Sequence, residues 1–200
     1  MALKFQYNKI ALQGLNRQLN IRLNALPILK NKEMVLRLEV AKARRKIGEL
    51  NAEIRRQTDI NTREPAIWCE FLPELLSLGE VVASVKKIAG IQTPVLEQVH
   101  FKEAEFSLFS NPQWFPEGIS ILKRIVTVVI ERDFYIRKME LLNQARRKTT
   151  QKVNLYEKVQ VPAYEEAIRK IKRFLEDEET LSKSAQKILK TRQQFSVTSL

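Results

Sequence analysis

Glycine is scarce, with five in 200 residues. A fold with many tight turns uses more, so the scarcity excludes a turn-rich architecture and favours few, long elements. Cysteine occurs once, at Cys69, which excludes an intrachain disulfide and fits a reducing cytoplasmic compartment. One cysteine and one histidine, His100, do not supply the four ligands of a zinc site. No apolar run approaches the ~20 residues of a membrane-spanning helix, so no direct membrane insertion is expected. The opening MALKFQYNK has no apolar core of signal-peptide length. The segments GELNAEIRR and GIQTPVLE lack the spacing of a phosphate-cradling loop. Glu176, Asp177, Glu178 and Glu179 are consecutive, so on a helix they fan around the axis rather than converge on a substrate. No catalytic residue, metal or cofactor is expected.

Charge is abundant and unevenly placed. The net +12 divides into +9 over residues 1–63, −4 over 64–116 and +7 over 117–200. Basic ends of this kind suit nucleic acid, anionic lipid or an acidic protein. Composition does not choose among them. The runs Lys42–Lys46 and Ala145–Lys148 read most simply as solvated helix faces.

Hydrophobic periodicity is the strongest positive signal. One heptad set reads Leu12, Leu19, Leu26, Glu33, Val40, Ile47 and Ile54. Its companion reads Leu15, Arg22, Leu29, Leu36, Ala43, Leu50 and Gln57. A seam sustained over this many heptads predicts a coiled coil, in a helix roughly 80 Å long at ~1.5 Å per residue. Pro27 lies inside it and predicts a local kink; a break into two helices is the alternative.

Residues 64–116 differ in character. PAIWCEFLPELLSLG predicts a short helix ending near Gly79. The β-branched and aromatic stretch after it predicts a small β-hairpin or loop around Gly90 and Pro94. From Glu117 the helical pattern returns, with Leu122, Ile125, Val129, Ile136 and Met139 on its first seam. It is irregular at Asn143 and Arg146 and resumes with Val153, Ala167, Ile171, Phe174, Leu181 and Ile188, with Pro162 as its one breaker. The expected architecture is mainly α. A long antiparallel two-helix coiled coil, 1–63 with 117–200, carries a small insert, 64–116, at the end opposite the termini.

Three segments then resemble a known family, the central-stalk D subunit of V-type and A-type ATPases. ALQGLNRQLNIRLNALPILKNK, with Ile28, Leu29, Lys30, Asn31 and Lys32 closing it, is similar to the family's first helix. VNLYEKVQVP, Val153 to Pro162, resembles its Val-Asn-x-x-Glu-x-x-x-x-Pro element. KKIAGIQTP, Lys86 to Pro94, resembles its hairpin segment. Glu33 and Pro27 depart from the family pattern. The resemblance covers nearly the whole chain, in order. It implies a non-catalytic rotor shaft on the axis of a catalytic A/B hexamer, clamped by the small F subunit. The insert end then points to a membrane-ring adaptor, and the chain is cytoplasmic and peripheral to the membrane. A basic coiled-coil scaffold or nucleic-acid-binding protein is the alternative, although no DNA-reading motif supports it and no nucleic acid is expected.

Two sets of contact residues follow. Ile21, Ile28 and Val35 recur every seven residues on a face away from the seam, and an apolar second face asks to be enclosed. With Lys183, Lys187 and Lys190 near the C-terminus they are the expected contacts to the catalytic head. In the second helix Ile121, Val128, Tyr135 and Leu142 form a stripe beside the main seam. With Leu50 and Ile54 of the first helix they are the expected contacts to the small partner, unless the insert covers the stripe through Trp68, Phe71 or Trp114.

Overall fold

The computed structural model of the chain describes residues 4–61, 68–107 and 111–198, with side chains as far as Arg192. Helix α1, Lys9–Asn61, runs 53 residues. Asn8 caps it: its Oδ1 accepts the amide of Ala11 at 2.6 Å, satisfying a donor with no partner inside the helix. All fourteen heptad positions are buried or half-buried, and Leu36, Ala43, Leu50 and Gln57 are the deepest. The helix passes through Pro27 without a break. Pro27 and Leu23 are both exposed, so the carbonyl that loses its amide partner is open to water.

The second half forms α2, Phe115–Leu155, a π-helical turn, Tyr156–Gln160, and α3, Val161–Thr198. Pro162 therefore ends no helix. It falls in the first turn of α3, where a missing amide costs least. The widened turn just before it, with the Val161 amide bonded to the Tyr156 carbonyl, absorbs the misfit of its ring.

The chain divides into two compact units, Met1–Asn31 with Thr149–Leu200 and Lys32–Lys148. In the first, Lys30 pairs with Glu157 at 2.7 Å, Arg22 Nε donates to Gln160 Oε1 at 2.7 Å, and the rings of Tyr7 and Phe174 lie 5.0 Å apart. One set of numbers falls as the other rises, so the helices are antiparallel. Ala167, Ile168 and Ile171 are buried in this unit. In the second unit Arg124 lies 3.8 Å from Glu53, and Lys42 and Lys46 sit across from Tyr135 and Lys138, again antiparallel. Leu36, Ala43, Leu50 and Leu142 are buried there.

The second unit also holds the hairpin, β1, Leu76–Ile88, and β2, Ile91–Glu103. The short helix expected to end near Gly79 does not reach it: Trp68 is the last residue of that segment in α-helix. Pro73–Leu75 make one 3-10 turn and Leu76–Gly79 are already strand; Pro65–Ile67 lie outside the described residues. Leu76 and Leu78 pair with Glu103 and Phe101, and that pairing overrides the helix preference of the leucines. The turn is two residues, Ala89 and Gly90, both at positive φ (49° and 80°). Two bulges offset one another. Gly79 and Glu80 together face His100, and Glu97 is the extra residue between Leu96 and Gln98. At Gly79 a Cβ would sit 2.9 Å from the His100 carbonyl oxygen, so the bulge needs glycine.

Where the hairpin joins α2, Leu75, Phe115 and Ile119 form a buried cluster, with Phe71, Phe106 and Trp114 against it. Trp68, Phe71, Trp114 and Phe115 meet at centroid distances of 5.1–6.0 Å in tilted and edge-on geometries.

Candidate functional site

Among the described residues no three His, Cys, Asp or Glu side chains come together in a metal-binding group. What the chain offers is surface. On α1, Ile21, Ile28 and Val35 are 53%, 69% and 45% exposed. Ile10, 80% exposed, extends the same face, because eleven residues are three full helical turns. The heptad count skips it; an eleven-residue spacing finds it. Leu23, Met34 and Leu38 are exposed as well, so α1 is apolar on more than one side.

The C-terminal part of α3 is the second surface. The first turn of α1, at Lys9 and Leu12, lies beside Leu175, Glu179 and Ser182. Beyond that level every residue from Lys183 to Arg192 is exposed. Leu181 and Ile188, expected on the seam, are 72% and 55% exposed. The reason is that α1 starts at Lys9 and supplies no facing helix further out. Lys183, Lys187 and Lys190 share a face, with Leu181 and Ile188 on the opposite one. Lys183 is held by Glu179 at 2.7 Å.

The third surface belongs to the second unit. Ile54, Ile121, Val128 and Tyr135 are half-buried. Leu50 and Leu142, expected beside them, are 6% and 0% exposed. In the chain by itself these two leucines pack inside the helix pair. The insert acts differently from expectation. Trp68, Phe71 and Trp114 cover Phe115 at the start of α2, whereas it is β2 that lies beside the stripe, with Pro94 to Glu97 facing Thr127, Phe134 and Tyr135 across a cleft. Lys123 and Glu103 join the base of β2 to α2 by an ion pair.

Polar residues on the seam are satisfied internally. Arg22 lies over the rings of Tyr164 (4.5 Å) and Tyr156 (6.0 Å) and bonds Gln160 and Gln18. Gln57 donates to Glu53, and the Arg56 guanidinium and that Gln57 bond hold the Glu53 carboxyl down at about 2. In the basic run Lys42–Lys46, Lys42 and Arg45 pair with Glu39 and Glu49 on their own helix, as a solvated face does.

Each unit is an antiparallel helix pairing with apolar side chains left exposed outside the seam, and the second carries a folded hairpin; such surfaces define a structural component. Comparison with known proteins names the family. The family model described as the D subunit of ATP synthase matches residues 11–191, and the chain belongs to that family. It is 27% identical to the V-type ATP synthase D subunit of Borreliella burgdorferi, over 94% of both chains. It is also 27% identical to the V-type ATP synthase D subunit of Chlamydia muridarum, over 88% of this chain and 90% of that one. Membership makes the chain a non-catalytic stalk component of a rotary ATPase, working in complex with other subunits. No helix among the described residues is long and apolar enough to cross a membrane.

Proposed function

We propose that the chain is the central rotor shaft of a V/A-type ATPase, coupling ATP hydrolysis or synthesis in a catalytic A/B hexamer to ion translocation through a membrane ring. The observation that carries this is the face of Ile10, Ile21, Ile28 and Val35, exposed along a helix whose own seam is already filled. An enclosing sleeve of head subunits covers such a face, and Lys183, Lys187 and Lys190 meet the same head. A shaft must be stiff, which interlocked helices supply. It must also be asymmetric, so that each catalytic interface is biased differently. Ile54, Ile121, Val128 and Tyr135 form the contact for the small F subunit, and a membrane-ring adaptor takes the shaft on the cytoplasmic side.

Purification of the tagged chain from its source tests the reading. Nucleotide-binding subunits in threefold excess and one small subunit are expected to follow it, with ATPase activity in the complex and none in the isolated chain. Recovery without those subunits would refute it. For the small-subunit contact the test is Val128→Asp with Tyr135→Ser. The shaft is expected to stay helical and lose the small subunit. A double variant that unfolds shows instead that the stripe is internal packing.

A further inference from the structure

Between β2 and α2 lies a cleft of about 280 Å³. Its apolar lining comes from Pro94, Leu96, Phe134 and Tyr135, and its carboxylates are Glu97 and Glu131. Neither carboxylate has an ion pair or side-chain hydrogen bond among the described residues. Lys138, also at the cleft, lies with its ammonium 5.5 Å from the Tyr135 ring centroid and pairs with neither. Glu97 is the bulge residue of β2, the one without a cross-strand partner, and bulges re-aim side chains. In a chain of net +12 this is an apolar hollow edged by two unmatched negative charges.

We infer that the cleft receives a basic anchor, an arginine or lysine flanked by an apolar side chain, from the small stalk subunit. The inference rests on the reading that this subunit binds the Ile121–Val128–Tyr135 stripe, and Tyr135 belongs to both stripe and cleft. The volume suits one or two side chains, below the usual range of a small-molecule pocket. A basic side chain fits because its aliphatic stem lies along apolar wall while its head reaches a carboxylate, and arginine's fork matches carboxylates best. The hairpin is then half of the docking site. It holds Glu97 against α2 through the Lys123–Glu103 pair at its base.

The experiment is isothermal titration of the full chain with the purified small subunit of the same complex, at two salt concentrations. The E97Q/E131Q variant keeps shape and removes charge. It is expected to bind at least about tenfold more weakly, with a flatter salt dependence and an unchanged melting temperature. Glu165→Gln, exposed on α3, is expected to bind as wild type does. Wild-type affinity and salt dependence in E97Q/E131Q overturn the cleft inference and leave the small-subunit reading standing. No binding by the wild-type chain overturns that reading and the inference with it.

Discussion

Replacing Ile21 and Ile28 together by glutamate separates folding from assembly. Both side chains lie outside the seam, 53% and 69% exposed, so the isolated helix pair has little to lose. Exposed substitutions of this kind shift stability by ~0.5 kcal/mol or less. On the proposed reading the head covers the still-exposed half to two-thirds of each isoleucine. Full burial of one such side chain is worth about 1.5–3 kcal/mol, so the two lose roughly 2–4 kcal/mol together. That is about 30- to 1000-fold in affinity, before the cost of burying carboxylates is added. The assay is reconstitution of the purified variant with the catalytic subunits, with affinity read by biolayer interferometry and helix content by circular dichroism. The reasoning fails if the variant binds the head as wild type does. It fails equally if the isolated chain loses its helix, because the face would then be internal.

Leu36→Ala is the converse: the side chain is fully buried, so the variant should be about 2–5 kcal/mol less stable in urea unfolding, with far less effect on head affinity than the isoleucine pair. Ala89→Asn should stabilise the hairpin by ~0.5–1 kcal/mol, because asparagine tolerates the left-handed backbone at φ 49° better than alanine does; slower amide exchange in β1 and β2 checks it, and no change refutes it. The Glu53 carboxyl sits at about 2, below its ordinary 4.5. Its contribution is therefore complete above pH 4.5 and lost as the pH falls through 2, so thermal melts of wild type and Glu53→Gln should converge on acidification across that window.

The helix pair was legible because a coiled-coil seam is written locally. Fourteen positions, spaced by three and four, are all buried or half-buried, including Arg22, Glu33 and Gln57. Period outweighs residue type there, and each polar intruder finds a bond nearby. The hairpin was legible in type but not in extent. Leu76 and Leu78 read as helix in isolation and become strand because Glu103 and Phe101, far along the chain, pair with them. The different depths along the Ile121–Leu142 stripe were not legible for a related reason. Leu50 and Leu142 share the spacing of the half-exposed residues beside them, and only the crossing of the two helices decides which apolar positions face inward. The cleft at Glu97 was invisible, since a bulge shifts side chains without leaving a periodic trace.

Past the π turn the seam of α3 moves by one residue. Counting by sevens from Thr149 reaches Lys170, and from Val153 reaches Phe174. Both are exposed, while their successors Ile171 and Leu175 are packed. The shift is one residue, the extra residue that one i→i−5 turn accommodates. Pro162 explains why the turn sits where it does, since its ring crowds the carbonyl four residues back in a regular helix. The turn is then fastened to α1 twice, by Arg22 to Gln160 between two tyrosine rings and by Lys30 to Glu157. Lys30 and Glu157 come from two of the segments that carried the family resemblance. Their ion pair is nearly half exposed and adds little stability. Its consequence is geometric: with the Arg22–Gln160 bond it places the turn against α1.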